Sequence, residues 1–200
     1  MAEKVSGQHG HTLIEVATVV AIIGSLVIVA VPSFSTMQKR AAVRVAAKEI
    51  RSAFHAARSQ AITTGRATAL KFHDDGQTWL WNLYEDGDWD GVRTADIKKG
   101  IDRRISGPNM ILSDERRIRI SMPDFALPDP DTNKPLGPGG TPVRFGKSKI
   151  CSFSPRGSSS SGTIFMTDGY ELAAAVRVYG ATARIRTMIY DPKHGTWGPK

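Results

Sequence analysis

The sequence predicts an α+β protein in which one long N-terminal helix packs on a C-terminal antiparallel β-sheet domain. Three observations predict it. No charged residue occurs from Val16 to Gln38. Apolar residues then recur at spacings of three and four as far as about Thr64, which is the period of an amphipathic helix. The rest of the chain holds short segments rich in β-favouring residues, separated by turn-forming residues.

The first segment of this helix has the composition of a membrane span. Residues 16–31 are nearly all apolar, and residues 13–34 together reach the roughly 20 residues that cross a bilayer core. The segment is apolar on every side, which is not typical of a surface helix in a soluble domain. A cleaved signal peptide is the alternative, but it would begin with basic residues, whereas here Lys4 is offset by Glu3.

The helix is predicted to continue from residue 37 to residue 65 as an amphipathic segment. Its apolar stripe consists of Ala46, Ile50, Ala53, Phe54, Ala57 and Ala61. Its opposite side is basic and consists of Arg40, Arg44, Lys48, Arg51, His55 and Arg58. Such a stripe is typical of a solvated face, and it also suits lipid phosphates or acidic neighbouring proteins. Gly65 is a suitable residue to end the helix.

Residues 66–200 are predicted to form the β-rich domain. The predicted strands are 67–72, 78–84, 116–120, 142–145, 163–167, 172–179 and 182–190. Six of the 11 prolines lie between Pro123 and Pro142, so the segment 121–142 is predicted to be a long exposed loop. The single cysteine, Cys151, excludes an intramolecular disulfide and is predicted to be a small buried hydrophobe.

The last two predicted strands suggest an anion-binding hairpin. If Gly180 and Ala181 form a two-residue turn, Arg177 lies opposite Arg184. Arg186 and Tyr179 then share that face, while the alternating apolar residues face the core. Like charges that lie opposite each other are unfavourable unless they are solvated or an anion lies between them. Arginines beside an aromatic ring suit phosphate and base contacts, and the net charge of +8 favours anionic partners.

An acidic segment resembles the beginning of a calcium-binding loop. Asp86, Asp88 and Asp90 alternate, and Gly91 occupies the sixth position. The twelfth position is Ile97, where such a loop needs a bidentate Glu. A polar hairpin turn is therefore the preferred interpretation, and weak calcium binding is the alternative.

The sequence offers no set of catalytic residues. The five histidines are scattered through the first 11 residues, the predicted helix and predicted turns, and neither a Gly-rich nucleotide loop nor a nucleophile elbow is present. We therefore predict a protein that is not an enzyme and needs no cofactor.

The segment Gly10-His11-Thr12-Leu13-Ile14-Glu15 resembles the processing motif of type IV prepilins and type II secretion pseudopilins. The resemblance implies that a prepilin peptidase cleaves after Gly10 and methylates the new N-terminus at His11, a position where the family usually has Phe. It also implies that Glu15 pairs with the N-terminal amine of a neighbouring subunit during assembly. Residues 1–10 would then be the leader and residues 11–36 the transmembrane helix.

Two further segments are similar to the GspH/FimT group of this family: residues 41–66, with Arg58-Ser59-Gln60-Ala61-Ile62, and residues 152–164, with Ser-Phe-Ser-Pro-Arg-Gly. The resemblance implies a pilin-like fold and a structural minor subunit of a type II secretion or type IV pilus filament. Its partners would be other pilins or pseudopilins, the prepilin peptidase and the inner membrane.

The resemblance implies a single-pass bacterial inner-membrane protein whose C-terminal domain is periplasmic or extracellular. The distribution of Lys and Arg, one before the span and many after it, favours the opposite orientation when counted alone. We follow the more specific motif.

Two alternatives remain. Some FimT-type proteins bind DNA through a C-terminal Gly-Arg-x-Arg motif, and Ala183-Arg184-Ile185-Arg186 matches both arginines but not the glycine. The chain would then be a pilus-tip subunit for DNA uptake that uses Arg177, Arg184 and Arg186. The second alternative is a membrane-anchored extracellular domain that belongs to no filament.

Overall fold

A computed structural model describes residues 12–111 and 118–199 of the chain. It confirms an α+β protein with an N-terminal helix and antiparallel sheets. The helices are α1 (Leu13–Thr64) and α2 (Thr94–Lys99). The strands are β1 (Thr68–Asp74), β2 (Trp79–Glu85), β3 (Arg103–Asn109), β4 (Leu127–Pro128), β5 (Pro135–Leu136), β6 (Val143–Arg144), β7 (Ile150–Phe153), β8 (Gly162–Thr167), β9 (Ala173–Tyr179), β10 (Arg184–Asp191) and β11 (Thr196–Pro199).

The chain divides into two compact units, residues 1–38 and residues 39–200, and α1 contributes to both. In the first unit, the described side chains of residues 12–26 are exposed. Over the part of the chain that the structure describes, we find no helix whose length and apolar character together suffice for crossing a membrane. The transmembrane role of residues 11–36 stays a prediction.

The second unit contains two main antiparallel sheets. One has the strand order β3-β2-β1-β7 and the other the order β11-β10-β9-β8-β6. The apolar stripe of α1 is buried between them as predicted, with Ala53 partly buried. Phe54 is its central contact, because its ring centroid lies 6.2 Å from that of Phe72, 5.7 Å from that of Phe145 and 6.1 Å from that of Phe153.

The end of α1 is fixed by a glycine and by two arginines. Gly65 follows the helix with a φ of +69°, a conformation that glycine adopts at little cost and that confirms the predicted stop. Arg58 donates a hydrogen bond to the carbonyl oxygen of Ala183 at 3.3 Å. Arg66 donates to the carbonyl oxygens of Asp86 and Gly87 at 3.0 and 3.1 Å. Both arginines therefore connect α1 or its end to distant loops.

Most predicted strands occur with shifted ends, and five strands were not predicted. The strands missed are β3, β4, β5, β7 and β11, and the short helix α2 was also missed. β3 contains Gly107 and Pro108, which argue against a central strand, but it lies at a sheet edge where a proline needs no ladder donor. Of the predicted strand 116–120, residues 116 and 117 lie outside the described residues, and Arg119 forms a single bridge with Thr167.

The segment 121–142 is not simply an exposed loop, so that prediction was partly wrong. Residues 132–135 are exposed. Met122 and Leu127, however, are buried, and β4 pairs with β5 inside the segment. Met122 packs with Phe165 and Met188 on the second sheet. The indole nitrogen of Trp197 also donates to the carbonyl oxygen of Pro128 at 2.7 Å, so this segment covers part of the sheet.

Candidate functional site

The predicted assembly carboxylate lies in the first turn of α1. Thr12 precedes the helix, and its hydroxyl oxygen accepts the backbone N–H of Glu15 at 3.3 Å. A carboxylate in the first turn is also favourable because the helix dipole is positive there. Glu15 is exposed. Gly10 and His11 lie outside the described residues, so cleavage and methylation stay predictions.

The helix on both sides of Glu15 presents an apolar surface. Eight large apolar side chains have exposed fractions from 50% to 90%: Leu13, Ile14, Val16, Val19, Val20, Ile22, Ile23 and Leu26. A contiguous apolar surface of this kind marks a protein or membrane contact, because its exposure to water is unfavourable. The apolar character of this segment could be read from the sequence alone.

The C-terminal hairpin differs in register from the prediction. Arg177 lies opposite Arg186, and Tyr179 lies opposite Arg184. The turn therefore contains four residues rather than two. A Cβ atom on Gly180 would lie 2.8 Å from the hydroxyl oxygen of Ser161, and Gly180 donates its backbone N–H to that oxygen instead of forming a tight turn.

The change of register does not change which residues share a face. It shifts the pairing by two positions, and side chains alternate with a period of two. Arg177, Tyr179, Arg184 and Arg186 therefore lie on one face, as predicted. Val178 and Ile185 lie on the other face and are buried.

The charge of Arg177 is compensated within the chain. Its Nη2 lies 2.6 Å from Oδ2 of Asp131, and its Nη1 donates to the hydroxyl oxygen of Thr163 at 2.9 Å. The hydroxyl of Tyr179 donates to Oδ1 of Asp131 at 3.4 Å. The side chains of Arg177 and Asp131 are only 27% and 28% exposed. Asp131 thus holds a position that an external anion would otherwise take.

The other two arginines are accessible. Arg184 and Arg186 are exposed, and the side chain of neither forms a hydrogen bond or ion pair with another residue that the structure describes. Sequence reasoning missed Asp131, because it lies 46 positions before Arg177 in a segment that was interpreted as an exposed loop. Its only sequence signal is the acidic pair Asp129 and Asp131 within a basic protein.

The acidic segment forms a turn that is held by its first carboxylate. Asp86 is buried; its Oδ1 accepts the backbone N–H groups of Asp88 and Trp89 at 3.1 and 2.8 Å. Its Oδ2 accepts the N–H of Gly91 at 2.9 Å. Asp102, which the sequence did not single out, is also buried and accepts N–H groups from Gly87 and Arg93.

Two groups of three carboxylates lie close together here. Ligand atoms lie within 4.8 Å of one another in Asp86, Asp88 and Asp102, and also in Asp88, Asp90 and Asp96. Desolvation and a hydrogen bond with Asp88 raise the pKa of Asp90, which forms an ion pair with Arg93. Ile97, which occupies the twelfth position of the calcium-loop pattern, lies in α2 and packs beside Ala69, Val92 and Ile150. This position therefore contributes to apolar packing and supplies no ligand oxygen. Calcium binding therefore stays the untested alternative to a polar turn.

The basic stripe of α1 is exposed except at Arg58. Partial burial and the nearby charges of Arg51 and Arg58 lower the pKa of His55. The Nε of Arg51 donates to Nε2 of His55 at 3.4 Å, which requires an unprotonated acceptor nitrogen. The imidazole is therefore neutral at pH 7, and the positive charge of the stripe resides on its Lys and Arg residues.

Cys151 is fully buried in β7, which confirms its predicted environment. Burial raises the pKa of its thiol well above the ordinary value, so the thiolate needed for nucleophilic or metal chemistry is disfavoured.

Comparison with known families gave one result. A family model described as "Type II transport protein GspH" matches residues 46–182, which is more than half of the chain. Neither the curated proteins nor the solved structures gave a significant match. The matched region includes α1 from Ala46 onward, the first sheet, the segment 121–142 and strands β6, β8 and β9 of the second sheet, whereas β10 and β11 lie beyond it.

Proposed function

The chain belongs to the GspH family of type II transport proteins, and from this premise we propose that it is a minor pseudopilin, a structural subunit of a type II secretion filament. The coarser statement, a subunit of type II secretion, follows from the family itself. The finer statement adds prepilin processing, a membrane anchor and assembly through α1. A type IV pilus is the related filament in which a subunit with the same processing, anchor and helix could assemble.

The observation that carries the proposal is the contrast along α1. Its residues 13–26 expose apolar side chains, whereas the apolar stripe from Ala46 to Ala61 is buried in the β-rich unit, with Ala53 partly buried. A soluble domain gains nothing from an exposed apolar segment of this length. A subunit that is first stored in a bilayer and then packed among neighbouring helices needs one.

Glu15 is proposed to direct the assembly. A carboxylate at the edge of an apolar segment is unfavourable in a bilayer or a filament core unless a cation compensates it. If the peptidase cleaves after Gly10, the new amine at His11 supplies that cation in the adjacent subunit. The pair would fix the axial position of one subunit relative to the next, because only one register brings the two charges together.

The proposed location is the bacterial inner membrane, with residues 11–36 as a single span and the β-rich unit in the periplasm. The partners are other pseudopilins, the prepilin peptidase and the membrane. The family consists of structural subunits, so we propose no enzymatic activity and no cofactor.

The first experiment is mass spectrometry of the mature N-terminus after extraction from membranes. We expect a chain that starts at a methylated His11. A chain that still starts at Met1 or Ala2 would contradict processing and leave only a membrane-anchored domain. The substitution of His11 by Phe would then test whether the unusual residue at this position prevents cleavage.

The second experiment separates the charge of Glu15 from its contribution to the helix start. Glu15→Gln removes the charge, but glutamine is also a suitable residue in the first helical turn. We expect membrane insertion to be retained and filament assembly, measured by shearing and sedimentation, to be lost. Thr12→Ala is the matched control, since it removes the hydroxyl acceptor of the Glu15 N–H but no charge. Assembly by Glu15→Gln at the wild-type level would contradict the proposal.

DNA binding at a filament tip is the second candidate function, and the accessible pair Arg184 and Arg186 favours it. Arg184→Glu/Arg186→Glu should weaken binding of duplex DNA by the full chain in neutral detergent at least about tenfold at low salt. The control is Lys147→Glu/Arg156→Glu, which changes the net charge equally at two other exposed positions. Equal losses in both variants would indicate nonspecific attraction and reject the candidate.

A further inference from the structure

A cavity of about 290 Å³ lies beside the first turns of α1 in the second compact unit. Its floor is apolar, since Val43 and Leu172 are buried there. Ile189 and Tyr190 from β10 form one wall and are half-buried. The cavity therefore offers an apolar surface, which suits an amphipathic ligand better than a free inorganic ion.

Three cations surround this floor: Arg40 and Arg44 from α1, and Lys193 from the turn after β10. One carboxylate, Asp191, lines the same cavity. Its Oδ2 lies 2.6 Å from Nδ1 of His194, and this contact, with the N–H of Lys193, lowers the pKa of Asp191. With three positive charges against one negative charge, the lining carries a net charge of +2 and is complementary to an anion.

The cavity also lies close in sequence to the apolar segment. Arg40 comes six residues after Phe34 in the sequence, so the first lining residues of the cavity follow the apolar segment directly along the chain. Basic residues immediately after an apolar segment are typical contacts for anionic lipid headgroups.

From these observations we propose that the cavity binds the phosphate of an anionic phospholipid headgroup, held by Arg40, Arg44 and Lys193 above the apolar floor. The inference rests on the membrane anchor of the proposed function and extends it. The anchor alone holds the subunit in any bilayer, whereas this site selects anionic lipid and orients the β-rich unit on the membrane before assembly. Arginine suits this role because its planar guanidinium forms paired hydrogen bonds with phosphate.

The test uses the full chain in neutral detergent and two lipids with the same acyl chains, phosphatidylglycerol and phosphatidylcholine. Lipid adducts are counted by native mass spectrometry. Because α1 contacts the acyl chains of both lipids equally, the ratio of the two adducts reports the headgroup site alone. We expect the wild type to prefer phosphatidylglycerol, and Arg40→Gln/Arg44→Gln/Lys193→Gln to lose about fivefold of that preference for each cation removed.

The matched control is Lys48→Gln/Arg51→Gln/Lys147→Gln, which removes three exposed cations that do not line the cavity. It should keep the preference within about twofold, since exposed charges outside the site are screened. An equal loss in both variants would overturn the proposal in favour of nonspecific attraction. Displacement of the lipid by an equal concentration of inorganic phosphate would also overturn it, because a free anion would then be the ligand.

A filament-assembly assay distinguishes a lipid ligand from an acidic side chain of a neighbouring subunit. If the triple variant at the cavity keeps the lipid preference but loses filament assembly, the occupant is an acidic side chain of a neighbouring subunit, and the lipid assignment is overturned. Failure of the proposed function has a different signature. In that case the wild-type chain would not be retained in bilayers of either lipid.

Discussion

The two units of this chain differ in whether their apolar side chains are buried. In residues 39–200, apolar side chains pack on one another, and buried carboxylates such as Asp86 and Asp102 accept hydrogen bonds from their own chain. In residues 12–26, the apolar side chains remain exposed. The burial of apolar surface, which stabilises the fold, is therefore concentrated in the second unit.

The strongest test of this comparison places one truncation in each half of α1. Phe54→Ala removes a buried ring that contacts three other phenylalanines, so we expect a loss of about 3–5 kcal/mol in the free energy of unfolding. Val20→Ala, at a side chain that is 62% exposed, should change that free energy by less than about 0.5 kcal/mol. Both changes are measured by chemical denaturation of the full chain in neutral detergent. Equal losses in the free energy of unfolding would contradict the difference between the two units.

A second test asks whether the buried carboxylates are structural. Asp86→Ala leaves three backbone N–H groups without their acceptor and should destabilise the second unit by about 2–3 kcal/mol. Asp88→Ala, at an exposed neighbour, should have little effect. Thermal unfolding with EDTA and with calcium completes the experiment. A melting temperature of the wild type that rises with calcium would show that the turn binds metal as well.

The sequence predicted the elements of the second unit better than the contacts between them. The stripe from Ala46 to Ala61 was predicted correctly because the helical period is a local property. The role of Asp86 was not, since its partners depend on how residues 86–91 turn. β3 was missed because its edge position, which tolerates Pro108, cannot be seen in the sequence.

A third test concerns the ion pair between the segment 121–142 and the hairpin. Asp131→Asn removes the charge that compensates Arg177 and should cost about 1 kcal/mol of stability. The same change should strengthen DNA binding if the hairpin is a nucleic-acid site, because it releases a third arginine beside Arg184 and Arg186. Asp124→Asn, at an exposed residue of the same segment, is the control. An unchanged free energy of unfolding in Asp131→Asn would mean that the ion pair between Asp131 and Arg177 does not stabilise the fold.

The smallest expected effect is a dependence on pH at Asp129. Burial opposes its ionisation, but hydrogen bonds from the backbone N–H groups of Asp131 and Thr132 outweigh this and lower the pKa below the ordinary 3.8. A lowered pKa in the folded state means that ionised Asp129 stabilises the fold above pH 3.8, and that this stability is lost as the pH falls through the folded value.

The measurement compares the wild type with Asp129→Asn by equilibrium unfolding at several pH values. We expect the wild type to be the more stable at pH 7 and the difference to shrink as the pH falls below 3.8. A difference that stays constant over this range would mean that the charge of Asp129 does not contribute.

For the candidate sites too, features set by residues close in the sequence were predictable, whereas contacts between distant residues were not. The shared face of Arg177, Arg184 and Arg186 was predictable because side chains in a strand alternate. Their register was not, because the four-residue turn is accompanied by a hydrogen bond from Gly180 to Ser161, a contact outside the hairpin that its sequence does not show. Neither was the pairing of Arg177 with Asp131, which removes one of the three predicted arginines from the accessible set.

By itself, the sequence determined the long helix, its apolar and basic faces, the alternation of the strands and the family resemblance at Glu15. These features depend on residues within about one or two turns of each other, so short-range spacing specifies them. The tertiary structure alone decided that the proline-rich segment covers a sheet, that Asp131 neutralises Arg177, and that Arg40, Arg44 and Lys193 surround one cavity. Those contacts join residues far apart in the chain, and only the packing of α1 and the segment 121–142 against the sheets brings them together.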